Sequence, residues 1–78
     1  MIYLFTTNFC AKCPGVKKKL QSAGIQFQEL NAIQIQNHDL VNKYNIKSVP
    51  TIIVIEEKEH GQYWKSYNEN TMGELIGL

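Results

Sequence analysis

Arginine is absent from this chain, and its eight lysines face seven acidic residues, leaving a formal charge of +1. Such a balance creates no field that would gather nucleic acid or an anionic membrane, and neither is expected as a partner. No apolar run reaches the length that crosses a bilayer. The opening "MIYLFTT" has neither a basic leader nor an apolar region long enough for a signal peptide. It reads as a strand, and the protein is expected to be cytoplasmic. Linkers, repeats and low-complexity segments are also missing, so 1–78 is read as a single domain.

Histidine is scarce too. His38 and His60 are the only two, and their spacing from the cysteines fits no zinc-finger pattern, so no metal site is expected. Hydrophobic residues make up 44% of the chain and charged residues 19%, a composition that excludes disorder and predicts a packed core. At 78 residues that core is close to the smallest that sustains itself, leaving room for one site on the scaffold.

Cysteine occurs twice, in "NFCAKCPGVKKKL", residues 8–20. Cys10 and Cys13 admit three readings: a structural staple, half of a metal site, or a pair cycling between dithiol and disulfide. A loop this short removes little entropy from the unfolded chain and makes a poor staple. In a cytosolic chain the spacing points to redox or metal chemistry rather than architecture.

The pattern around the pair places it. "IYLF" at 2–5 is apolar at every position, as in a strand covered on both faces. Pro14, tolerated in a first helical turn, opens a helix with Val16, Leu20 and Ala23 on its inner stripe and Gly24 as its stop. Cys13 falls on that stripe and Cys10 in the turn before it. Lys17 and Lys18 point away from the stripe and Lys19 lies near its edge, the pattern of a solvated face.

"GIQFQEL" alternates and predicts a second strand, parallel to the first because a helix joins them. Asn37 is placed to cap a second helix carrying Leu40, Val41 and Tyr44, and Asn45 to end it in the left-handed conformation. "TIIVI" at 51–55 is a further apolar strand, and "EEKEHGQ" turns the chain into "QYWKSY", an antiparallel hairpin. Tyr63, Trp64 and Tyr67 in that strand read as packing aromatics. Thr71 and Glu74 fit a capping box before a short helix with Leu75, Ile76 and Leu78 as apolar residues. The predicted order is βαβαββα.

With this order, a C-x-x-C after the first strand and Val49-Pro50-Thr51 before the third, nearly the whole chain resembles the thioredoxin and glutaredoxin superfamily. "YNIKSVPT" at 44–51 is similar to the thioredoxin segment that ends in a cis-proline and a threonine. A start directly at the strand before the cysteines is similar to glutaredoxins and small glutaredoxin-like redoxins. The resemblance implies an α/β minimal thioredoxin fold: a four-stranded mixed sheet with flanking helices.

It also implies a thiol-disulfide oxidoreductase acting through Cys10 and Cys13, with no cofactor. Cys10, at a helix N-terminus, gains thiolate character from unpaired backbone N–H groups and the positive dipole end, and Lys12 adds cationic bias. Cys10 attacks a partner's disulfide and Cys13 resolves the mixed disulfide. If Pro50 is cis, as in the resembling families, Val49 offers its backbone to an extended substrate beside Thr51; a trans turn proline is the alternative. Phe9 reads equally as a lip of the substrate groove or as core.

Two departures bear on partners. Glutaredoxins carry a basic residue three positions before the first cysteine and a Gly-Gly turn with an acidic residue before the final helix. Thr7 and "SYNENT" stand in those places, so the resemblance points to a flavoprotein thioredoxin reductase as electron source rather than glutathione. Thioredoxins carry a buried acid in the strand before the cysteines, where Leu4, Phe5 and Thr6 stand here. "YWKSY" is loosely similar to the Trp-Ser-Gly-Phe of redoxins that reduce ribonucleotide reductase, which makes that enzyme a candidate client among disulfide-containing proteins. No dimer seam is evident, and a monomer is expected. A glutathione-dependent glutaredoxin and a non-catalytic thioredoxin-fold binding module remain as alternatives.

Overall fold

The computed structural model describes residues 1–77. Its strands are β1 (Ile2–Thr6), β2 (Gln28–Asn31), β3 (Thr51–Lys58) and β4 (Gly61–Tyr67), and its helices are α1 (Cys13–Ser22), α2 (His38–Lys43) and α3 (Met72–Ile76). The strands form one sheet in the order β2-β1-β3-β4. β1 runs parallel to β2 and antiparallel to β3, and β3 and β4 form an antiparallel hairpin. This is the four-stranded mixed sheet with helices that the resemblance implies, with the elements in the order that the sequence pattern predicts.

The two strands with largely apolar runs, β1 and β3, are the two inner ones. Alternation along them feeds two cores. Leu4 and Ile52 meet Val16 and Leu20 of α1 and Met72 of α3 on one face, while Phe5, Ile53 and Ile55 meet Leu30 and Tyr44 on the other. Leu4, Phe5, Leu20, Ile52 and Ile53 are fully buried, each contributing about 1.5–3 kcal/mol by leaving water.

Local details depart from the sequence pattern for identifiable reasons. Strand β2 begins at Gln28, not at Ile25, because Gly24 turns the chain at φ 74° and the ladder to β1 opens at Tyr3 opposite Gln28. Ile25 and Phe27 still pack, half-buried, on the α1 side. Ala23 is exposed at the C-cap of α1 rather than on its buried stripe. Asn37 precedes α2 without capping it: its buried side-chain amide donates to the Asn31 carbonyl at 2.9 Å, after a 3-10 turn at Ile35–Asn37. Asn45 has the left-handed backbone expected of it, φ 54°.

The Thr71–Glu74 capping box does not form. The Thr71 amide, which Glu74 would have to accept from, already donates to the Asn68 side-chain oxygen at 3.0 Å, while the Thr71 hydroxyl accepts from the Asn68 amide at 2.9 Å. Leu78, read as part of this helix, lies outside the described residues. Among the described residues no helix is long and apolar enough to cross a membrane.

Candidate active site

The strand register gathers four connecting segments at one end of the sheet. Thr51 lies opposite Phe5, so the turn at 48–50 stands at the end of β1 where the 7–12 loop begins. Tyr67 lies opposite Ile52 and Thr6 opposite Asn31, which bring the 68–71 turn and the segment after β2 to the same end. Side chains then tie these segments together. The Asn31 amide donates to the Asn8 side-chain oxygen at 2.8 Å, and the Lys12 ammonium contacts Glu69 at 3.1 Å.

Cys10 and Cys13 sit in this frame, joined as a disulfide with their Cα atoms 5.4 Å apart. The Cys10 amide closes a turn on the Thr7 carbonyl, and Cys13 is the first residue of α1. Cys10 is half-buried, whereas Cys13 is 6% exposed. One sulfur is therefore presented and the other sheltered. Pro14 lies in the first turn, where its missing N–H costs no intrahelical bond. Lys12 occupies the N-cap without a side-chain capping bond, and its charge is shared with Glu69 rather than held only for Cys10.

The other residues singled out from sequence are placed as follows. Phe9 is 92% exposed, so it is not core. The Val49–Pro50 peptide bond is cis. Val49 is half-buried against the α2-side core, and Pro50 is buried. Thr51 is buried, and its hydroxyl donates to the Ser48 carbonyl at 2.6 Å. Tyr67 packs on the α1 side, and Trp64 lies edge-on to Tyr44 with ring centroids 5.2 Å apart, while Tyr63 is largely exposed. Among the described residues, no group of three or more His, Cys, Asp or Glu side chains converges as a metal site would require.

A cleft of about 220 Å³ borders the disulfide, lined by Cys10, Cys13, Thr6, Thr7, Lys17 and Glu29 among others. Lys17 does not extend into solvent as a free cation: its ammonium is 2.7 Å from Glu29. The Thr6 hydroxyl donates to the same carboxylate at 3.1 Å. Lys17 beside it holds the Glu29 carboxyl below its ordinary value, against the opposing effect of burial and with help from Thr6. The sequence reading missed this cluster, although two signals were present. Glu29 continues the parity of Ile25 and Phe27 in "GIQFQEL", and Lys17 follows Cys13 by one helical turn.

The Glutaredoxin family profile matches residues 2–60, more than half of the chain. The chain belongs to the glutaredoxin family. That membership supports a thiol redox function, and the chain carries a Cys10–Cys13 disulfide. Solved structures agree on the fold. Thioredoxin 1 from the thermophilic eubacterium Thermosipho africanus TCF52B superposes with a TM-score of 0.68 at 21% identity, over 96% of this chain and 84% of that one. Chloroplastic thioredoxin z gives 0.62 at 18% identity, over 97% and 74%, and a malarial protein 0.64 at 21%, over 96% and 90%. A search of curated proteins found no match.

Proposed function

We propose that this glutaredoxin-family protein reduces disulfides in other proteins through a Cys10–Cys13 dithiol cycle. The observation that carries the reading is the asymmetry of the pair: a half-buried sulfur in the turn and a buried one beginning α1. In the reduced protein the Cys10 thiolate, stabilised by the helix N-terminus, attacks a partner disulfide and forms a mixed disulfide while one partner sulfur leaves. Cys13 then attacks Cys10, the mixed disulfide breaks, and the partner departs with both sulfurs reduced. Two electrons pass to the substrate and no cofactor takes part.

Exposed Phe9 forms an apolar lip for the substrate, and the Val49 backbone, with Pro50 and Thr51 behind it, pairs with an extended segment of that substrate. Electrons return from a flavoprotein thioredoxin reductase. Thr7 and the Asn68–Thr71 turn lack the cation and the paired glycines that would hold glutathione closely. Disulfide-containing proteins, with ribonucleotide reductase as one candidate, are the clients of a cytoplasmic monomer.

The test is insulin reduction with substituted proteins. Cys10→Ser abolishes turnover, and Cys13→Ser accumulates a mixed disulfide with the substrate; turnover that survives Cys10→Ser would sink the mechanism. Partner capture indifferent to replacement of both cysteines would instead favour a binding module. The family match favours one second reading, a glutathione-driven cycle. Parallel assays with glutathione plus its reductase, and with a thioredoxin reductase, decide between the two electron sources.

A further inference from the structure

The dithiol cycle proposed above requires Cys13 to become a thiolate at a buried position, where desolvation opposes the charge. The strand preceding the cysteines contributes only uncharged side chains there: Leu4, Phe5 and Thr6. The cleft beside the disulfide does hold charge, in Lys17 and Glu29.

We infer that Lys17 is the counter-charge for the Cys13 thiolate, handed over from Glu29 when the disulfide opens. Helix geometry supplies the first argument. Lys17 stands one turn after Cys13 in α1, about 6 Å along the axis, and helical side chains lean toward the N-terminus, which aims its ammonium back at the cysteine end. Strand geometry supplies the second. Glu29 faces Leu4 across the β1–β2 ladder and is tethered by the Thr6 hydroxyl at 3.1 Å, so the carboxylate holding Lys17 at 2.7 Å is fixed at the cleft wall.

In the disulfide state neither sulfur carries charge, and Lys17 pairs with Glu29. In the mixed disulfide the Cys13 thiol loses its proton to water in the cleft, whose volume of about 220 Å³ holds several molecules at about 30 Å³ each. Lys17 then turns to the new anion. The Cys13 sulfur attacks Cys10, the bond between Cys10 and the partner breaks, and the partner sulfur leaves as a thiolate that takes up a proton. Lys17 returns to Glu29.

Of the other charges near the helix start, Lys12 pairs with Glu69 across the 68–71 turn, and Lys18 lines a different groove, with Met72 and Gly73. The facing ends of β1 and β3 contribute Thr6 and Thr51, which do not titrate. Glu29 competes with the thiolate for Lys17, so the two members of the pair act in opposite directions. That opposition separates this role from proton transfer to Glu29.

The experiment titrates the single Cys13 thiol in a Cys10→Ser background by thiolate absorbance in the ultraviolet, with circular dichroism as the check on folding. Lys17→Met is expected to move the deprotonation midpoint up by about one pH unit, the low end for losing an opposite charge at a half-exposed site, so that about tenfold less thiolate is present at neutral pH. Lys17→Arg restores the midpoint, and Glu29→Gln moves it down. An unmoved midpoint in Lys17→Met would overturn the inference, and an upward shift in Glu29→Gln would do so by making Glu29 the helper of the thiolate. Should Lys17→Met fail to fold, Lys17→Gln takes its place in the same titration, with the same upward shift expected and an unmoved midpoint overturning the inference. The titration needs no protein substrate, so failure of insulin reduction in the unsubstituted protein would count against the dithiol cycle and leave this result standing on its own.

Discussion

Asn31, the last residue of β2, and Asn8, in the loop before Cys10, share a side-chain hydrogen bond of 2.8 Å. The Asn31 oxygen also accepts from the Ile33 amide at 3.1 Å, so a single side chain joins the cysteine loop to the segment that leaves the sheet. The two bonds are exposed, and their worth is set by how much they order the loop.

Asn31→Ala removes both bonds. The expected loss is about 1 kcal/mol, the usual net value of neutral hydrogen bonds that water replaces. Urea unfolding of the oxidised protein measures it, and a loss above about 3 kcal/mol would mean the clasp supports the core as well.

The core itself carries far larger consequences. Ile53 and Leu20 are fully buried on opposite faces of the sheet, and truncating either to alanine is expected to cost about 2–5 kcal/mol. Against the roughly 5–15 kcal/mol that holds a domain folded, either loss is severe for a chain this small. Val54→Ala, at a half-buried position, should cost clearly less in the same denaturation series.

Lys12 was expected from sequence to bias Cys10 toward its thiolate. In the folded protein its side chain is 69% exposed and paired with Glu69, so solvent and partner both weaken that influence. Lys12→Met is accordingly expected to slow alkylation of reduced Cys10 by less than about threefold. Glu69→Gln, which releases the cation, should quicken it. A tenfold fall in Lys12→Met would restore Lys12 to a leading role.

Acid stability reports on Glu29. Its carboxyl in the folded protein is held below the ordinary value of 4.5, first by Lys17. A lowered value means that the unfolded chain takes up the proton first as pH falls. The contribution is therefore complete above the ordinary carboxylate range and is lost as pH drops through the lower folded value. Between about pH 6 and pH 3 the unsubstituted protein should lose more stability than Glu29→Gln, by under about 1 kcal/mol because the pair is partly in solvent. Parallel urea midpoints at the two pH values check this, and an equal loss in both proteins would contradict it.

The sequence displayed the scaffold more openly than the site's electrostatics. A continuous apolar run at 2–5 and a largely apolar one at 51–55 marked strands that are buried on two faces, and these became the inner strands of the sheet. Cys13 at helical spacing from Val16 indicated a sheltered sulfur, and it is buried. These signals are local, so a single element's periodicity suffices to read them.

Pairs between distant segments left weaker traces. Lys12 reaches Glu69 and Asn8 meets Asn31 only after the sheet brings four strand ends together. Lys17 sits within a run of three lysines that resembles an ordinary solvated face, and its partnership with Glu29 depends on the β1–β2 register. Thr71 and Glu74 had the spacing of a capping box, but Asn68, outside that motif, took the amide first.

The central claim is that Cys10 and Cys13 form a two-electron redox couple. The most direct measurement equilibrates the protein in graded thiol-disulfide buffers, alkylates it, and reads the oxidised fraction by mass. The account predicts one transition between dithiol and intramolecular disulfide whose slope corresponds to two electrons, about 30 mV per tenfold change in the equilibrium constant. Failure to form the intramolecular disulfide at any buffer ratio would contradict it.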